Sequence, residues 1–91
     1  MNMEEKIKHA LESAINIHHI DIINESKNHI GHAGDDGSGE THFKLMIVSS
    51  DFIECNSMQR QRIVNSAIKP LFSSGLHAIS VNLLTLEEFN V

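Results

Sequence analysis

Histidine is the residue type that sets this chain apart: seven occur in 91 residues, as His9, His18, His19, His29, His32, His42 and His77. Imidazole is the commonest side-chain metal ligand and the side chain that titrates near neutrality, so metal or proton chemistry belongs there first. The one cysteine, Cys55, can neither close an internal disulfide nor build a cysteine-only metal site within one chain. His29 and His32, three apart and followed by Asp35 and Asp36, could together bind zinc or nickel within a single chain. No serine, histidine and aspartate stand in a recognisable nucleophile context and no phosphate-loop motif occurs, so an enzyme is not expected. Nothing around Cys55 is poised to hold it as a thiolate, and it is read as a plain thiol.

These side chains must be held by a small fold. From Asn2, a plausible cap with Glu5 three residues on, the apolar positions Ile7, Ala10, Leu11, Ala14 and Ile15 recur at helical spacing. After Asn16 the period changes: Ile20 and Ile22 alternate with His19, Asp21 and Ile23 in a first strand that ends near Asn24. Residues 41–50 form a second strand, with Phe43, Leu45 and Ile47 on one face and Lys44, Met46 and Val48 on the other. Ser57 can cap a second helix that places Met58, Ile63, Val64, Ala67, Ile68, Leu71 and Phe72 on one side and Arg60, Arg62, Asn65 and Lys69 on the other, with Pro70 ending or kinking it near Lys69. Ser73, Ser74 and Gly75 terminate it. A third strand alternates Ile79, Val81 and Leu83 with Ser80, Asn82 and Leu84, and Thr85 with Glu88 forms a capping box for a last helical turn through Phe89.

The order αββαβα predicts one α+β domain over residues 1–91, a three-stranded mixed sheet with helices on one face, its second and third strands joined by a right-handed parallel crossover. Between strands 1 and 2 runs a long loop, Ser26 to Glu40, carrying His29 and His32 among Gly31, Gly34, Gly37 and Gly39. Hairpin connections are normally two to five residues, and longer ones tend to be functional or disordered. The longest apolar run, Leu45 to Val48, is too short to span a bilayer, and the first residues lack the layout of a signal peptide, which predicts a cytoplasmic protein with no membrane association. Seven Lys plus Arg against twelve Asp plus Glu give a net charge of −5, the wrong sign for a protein whose affinity comes from neutralising phosphates.

Four stretches, Asn24-Glu25-Ser26, Glu40-Thr41-His42-Phe43-Lys44, Ile47-Val48-Ser49 with Phe52, and His77-Ala78-Ile79-Ser80 followed by Thr85, together resemble the BolA family. The resemblance covers almost the whole chain from strand 1 to Glu88. One departure is visible: where the family has Arg-His-Arg in its middle helix, this chain reads Arg60-Gln61-Arg62 before Ile63 and Val64. The resemblance implies a fold like a class II K-homology domain and partnership with a monothiol glutaredoxin, the chain being a monomer alone and a heterodimer with its partner. In such a pair a [2Fe-2S] cluster is shared: the glutaredoxin cysteine and a glutathione thiol hold one iron, and BolA-type residues hold the other, namely the histidine that opens strand 3 and a histidine or cysteine in the loop. His77 matches the ligand that opens strand 3, and either His29 or His32 matches the loop ligand. Counting from Asn24 favours the first and counting back from Glu40 the second.

The residue types agree with that implication. Two imidazoles replacing two thiolates on one iron is a known cluster ligation that raises the potential, as in Rieske centres. A chain with no cysteine pair cannot complete the coordination alone, so no cluster is expected on the isolated protein. By strand parity His77 falls with Ile79 and Val81, and His42, facing away from Phe43, is assigned a surface or supporting role. His9, His18 and His19 are read as solvent-facing. Gly31-His32-Ala33-Gly34 spells the GxxG of nucleic-acid-binding K-homology domains, but in a hairpin loop beside two aspartates it reads as coincidence. The small basic face of Arg60, Arg62 and Lys69 allows weak DNA binding, and a DNA-binding regulator is the alternative function.

Overall fold

The computed structural model describes residues 2–25 and 42–90. The expected loop ligands His29 and His32, and the glycines and aspartates around them, lie outside the described residues. The first helix, α1 (Met3–Ala14), begins as its sequence predicts: the Asn2 side chain accepts the Glu5 backbone N–H at 2.8 Å, and Glu4 and Glu5 lie at the positive end of the helix dipole. Met3, Ile7 and Leu11, spaced by four, form its buried stripe.

The first strand, β1 (Ile17–Asn24), begins directly after Asn16 and ends at Asn24, as the change of period predicts. Ile17 lies opposite Ser49 while His19 lies opposite Val48, leaving His18 as an extra residue in a bulge. Ile17 and Ile20, three apart, both pack on the core, which strict alternation cannot achieve; the bulge resets the phase. The second strand, β2 (His42–Ser49), pairs antiparallel with β1 and buries Phe43, Leu45 and Ile47 on one face. A 3₁₀ turn, Ser50–Phe52, follows and buries Phe52 beneath the sheet's end.

The second helix, α2 (Ser57–Ile68), is capped by Asn56 rather than Ser57. Asn56 has Gln59 three residues on, and the two exchange side-chain-to-backbone bonds of 2.8 Å each way, a reciprocal box that Ser57 with Arg60 cannot make. Val64 and Ile68 are fully buried, with Ile63, Ala67 and Leu71 beside them. Met58 and Phe72, expected on that face, are 62% and 42% exposed. Met58 sits well off the Val64–Ile68 stripe. From Lys69 the chain tightens into a 3₁₀ segment, Lys69–Ser74, with Pro70 in its first turn, and three residues per turn carries Phe72 outward while Leu71 stays in. Gly75 ends it with φ +117°, a left-handed conformation that glycine alone adopts cheaply, and the Leu76 N–H closes onto the Leu71 carbonyl at 3.1 Å.

The third strand, β3 (Ala78–Leu84), pairs parallel with β2, giving the order β1-β2-β3 and the mixed three-stranded sheet expected. Ile79, Val81 and Leu83 join Ile20, Ile22 and the β2 residues under α1 and α2. The last helix, α3 (Leu86–Phe89), is set by the Thr85–Glu88 capping box and turns onto the other face, where Phe89 stacks on His19 at 5.2 Å beside buried Val48. No helix among the described residues is long and apolar enough to cross a membrane.

Candidate functional site

Because β2 and β3 run parallel, their first residues lie at the same end of the sheet: His42 is in register with Ala78, and His77 immediately precedes it. The two imidazoles face one another with centroids 6.2 Å apart and planes 24° from parallel. His77 is exposed and His42 half-buried. At this same end the antiparallel β1–β2 pair finishes, with the Glu25 N–H bonded to the His42 carbonyl at 2.8 Å. Glu25 and His42, the described residues on either side of positions 26–41, therefore both lie at the end of the sheet that carries His77. Strand parity alone separates His42 from His77; parallel register brings them together, and the βαβ signal in the sequence was the clue to it.

The other sequence-flagged residues fall elsewhere. Cys55 lies between the 3₁₀ turn and α2, its thiol 3.7 Å from the Asp51 carbonyl. His9 and His18 are exposed as expected. His19 keeps its expected solvent side, its side chain 40% exposed, but its Nε2 is 3.0 Å from Asp21 Oδ2 and its ring lies on Phe89, so it also holds α3 to the sheet. No group of three or more His, Cys, Asp or Glu among the described residues could hold a metal ion. The His29–His32 site with Asp35 or Asp36 lies outside them.

Arg60 corrects the expected basic face. Instead of facing solvent with Arg62 and Lys69, its guanidinium reaches over the β3 edge. It donates to the Cys55 and Leu83 carbonyls at 3.0 Å each and to Glu88 Oε1 at 2.7 Å, its side chain only 15% exposed. The Arg60 hydrogen bond is the main reason the Glu88 carboxyl is held down to about 2, helped by the Thr85 backbone N–H at 2.8 Å. The helix pattern could not reveal this, because the partners come from β3 and α3.

Compared with known proteins, residues 11–88 match the family model "BolA-like protein". The chain belongs to the BolA-like family. Among solved structures, BolA1 from Arabidopsis thaliana aligns with a TM-score of 0.84 and 32% identity over 97% of this chain and 96% of its own. The BolA domain of SufE1 from the same plant aligns with a TM-score of 0.82 at 32% identity, over 92% of each chain. The Haemophilus influenzae protein named DNA-binding transcriptional regulator BolA is 29% identical over 98% of this chain and 82% of its own. In this chain the BolA fold places His42 and His77 side by side at one end of the sheet.

Proposed function

We propose that this BolA-like chain is a non-catalytic iron–sulfur accessory protein that pairs with a monothiol glutaredoxin and helps ligate a shared [2Fe-2S] cluster. The observation that carries the reading is the His42–His77 pair at the end of the sheet that also holds Glu25. His77 and one of His29 or His32 are the residues that would hold the iron, and His42 stands beside His77 to orient it. The donor set fits: imidazole suits a cluster iron, His77 is exposed, and the described residues alone cannot complete the coordination, so thiolates would come from a partner and glutathione. When bound, the cluster supplies a one-electron redox centre or a transferable cofactor for assembly, transfer or iron sensing in the cytoplasm.

Co-reconstitution tests this. The chain, a monothiol glutaredoxin, glutathione, iron and sulfide are expected to give a heterodimer whose visible absorbance depends on both proteins, while the isolated chain stays a colourless monomer. A stable cluster on the chain alone overturns the proposal and favours the single-chain metal-binding reading. The DNA-binding reading draws support from the Haemophilus relative's name, but with Arg60 committed to Glu88 only Arg62 and Lys69 of the expected basic face remain for phosphates.

A further inference from the structure

We propose that the outward stripe of α2 and the 3₁₀ segment after it is a docking surface for an acidic peptide segment of a partner protein, one that carries apolar side chains beside its carboxylates. The stripe is formed by Met58, Arg62, Asn65, Ser66, Lys69 and Phe72, which recur at helical spacing on the side opposite Val64 and Ile68. Five of them, from Arg62 to Phe72, line an open cleft of about 520 Å³. Its ends are apolar and open to solvent, Met58 at 62% and Phe72 at 42% exposure, and its middle is cationic.

Charge decides the occupant. The chain carries a net charge of −5, yet the stretch from Cys55 to Leu86 contains no aspartate or glutamate, so this face reverses the sign of the molecule. Among the described residues neither Arg62 nor Lys69 has a carboxylate partner; the polar contact seen for Arg62 is Nη2 to the Met58 sulfur at 3.5 Å. Two unpaired cations between two exposed hydrophobic side chains match a segment that alternates acidic and apolar groups. A nucleic acid fits less well. Two cations release few counterions, the acidic remainder of the chain repels a long polyanion, and the exposed apolar side chains of Met58 and Phe72 gain nothing from facing phosphates. The stripe from Met58 to Phe72 is roughly 20 Å long, about four helical turns, which sets the length of the segment. The inference is independent of cluster ligation, which lies at the sheet end.

The test uses the cluster-free full chain and a fluorescein-labelled acidic peptide of about 16 residues, with leucines towards both ends and glutamates between. Saturable anisotropy is expected, with amide shifts in 15N-labelled protein confined to Met58–Phe72. The double variant Arg62→Glu with Lys69→Glu, both at exposed positions, is expected to weaken binding about tenfold or more, and Phe72→Ala by several-fold, with circular dichroism unchanged. The peptide with glutamines in place of glutamates is expected to lose binding. The proposal is overturned by no saturable binding at millimolar peptide, by shifts elsewhere on the protein, by charge reversal without effect, or by a duplex or single-stranded oligonucleotide binding the stripe more tightly than the peptide at physiological salt.

Discussion

Replacing Arg60 by alanine isolates the clamp that joins α2, β3 and α3. The guanidinium makes two 3.0 Å bonds to backbone carbonyls from a side chain only 15% exposed. At about 1 kcal/mol net for each, their loss destabilises the fold by about 2 kcal/mol, lowering the melting temperature by roughly 10 °C for a domain of this size. The Glu88 pair adds a pH signature. In the fold its pKa is lowered from 4.5 to about 2, chiefly by the Arg60 hydrogen bond. The fold thus favours the ionised form: its stabilisation is complete above pH 4.5 and is lost as pH falls towards about 2. Urea unfolding followed by circular dichroism at steps from pH 7 to pH 2 should show the gap between the native chain and Arg60→Ala narrowing across that window. Glu88→Gln should flatten the same part of the profile, and in Arg60→Ala the Glu88 carboxyl, followed by NMR, should titrate closer to its ordinary value. Equal stability of native and Arg60→Ala chains at pH 7, or a gap that does not change with pH, refutes the clamp.

Further outcomes follow from the same geometry. In the reduced, reconstituted heterodimer His77→Ala should remove the His77 share of the nitrogen coupling seen by pulsed EPR, while His29→Ala and His32→Ala each retain some cluster and the double change loses it; Gln61→His and Cys55→Ser should leave the spectrum unaltered, and an unchanged coupling in folded His77→Ala removes His77 from the iron. Any DNA affinity, measured by anisotropy, should be weak and collapse between tens and hundreds of millimolar salt, tight sequence-selective binding at physiological salt being the contrary result. Gly75→Ala should cost about 1–2 kcal/mol in urea unfolding because a side chain is strained at φ +117°; the nearest atom a new Cβ would meet, Met3 Cε, is 4.0 Å away, so the cost is conformational and Gly75→Asn should recover part of it.

The elements were legible because each is signalled within a few residues of itself. Asn2 with Glu5 and Thr85 with Glu88 announce helix starts through bonds that reach only three residues, and both form as the spacing indicates. Phe43, Leu45 and Ile47 declare a buried face by alternation alone. Structure and local pattern part where two local signals compete. Asn56 and Ser57 are adjacent candidate caps, and the side chain at the third following position decides between them. Phe72 has the spacing of a buried helical residue, but Pro70 changes the number of residues per turn, so the same spacing leads outward.

The candidate site required a different kind of information. Alternation within a strand states which face a residue takes, and on that basis His42 and His77 look unrelated, while Arg60 belongs with the other cations of its helix. Neighbours across elements are set by strand direction. Once β2 and β3 are parallel, His42 and His77 both stand at strand starts and must share an end of the sheet. By the same token the far end of β3 meets the start of α2, so Arg60, in the first turn of α2, lies within reach of the Leu83 carbonyl and Glu88. One topological fact therefore gathers the imidazoles and removes a cation from the surface at once. It strengthens the case for a histidine-ligated cofactor while weakening the case for phosphate binding, and it leaves Arg62 and Lys69 as the charge with which the outer face of α2 can recognise an acidic partner.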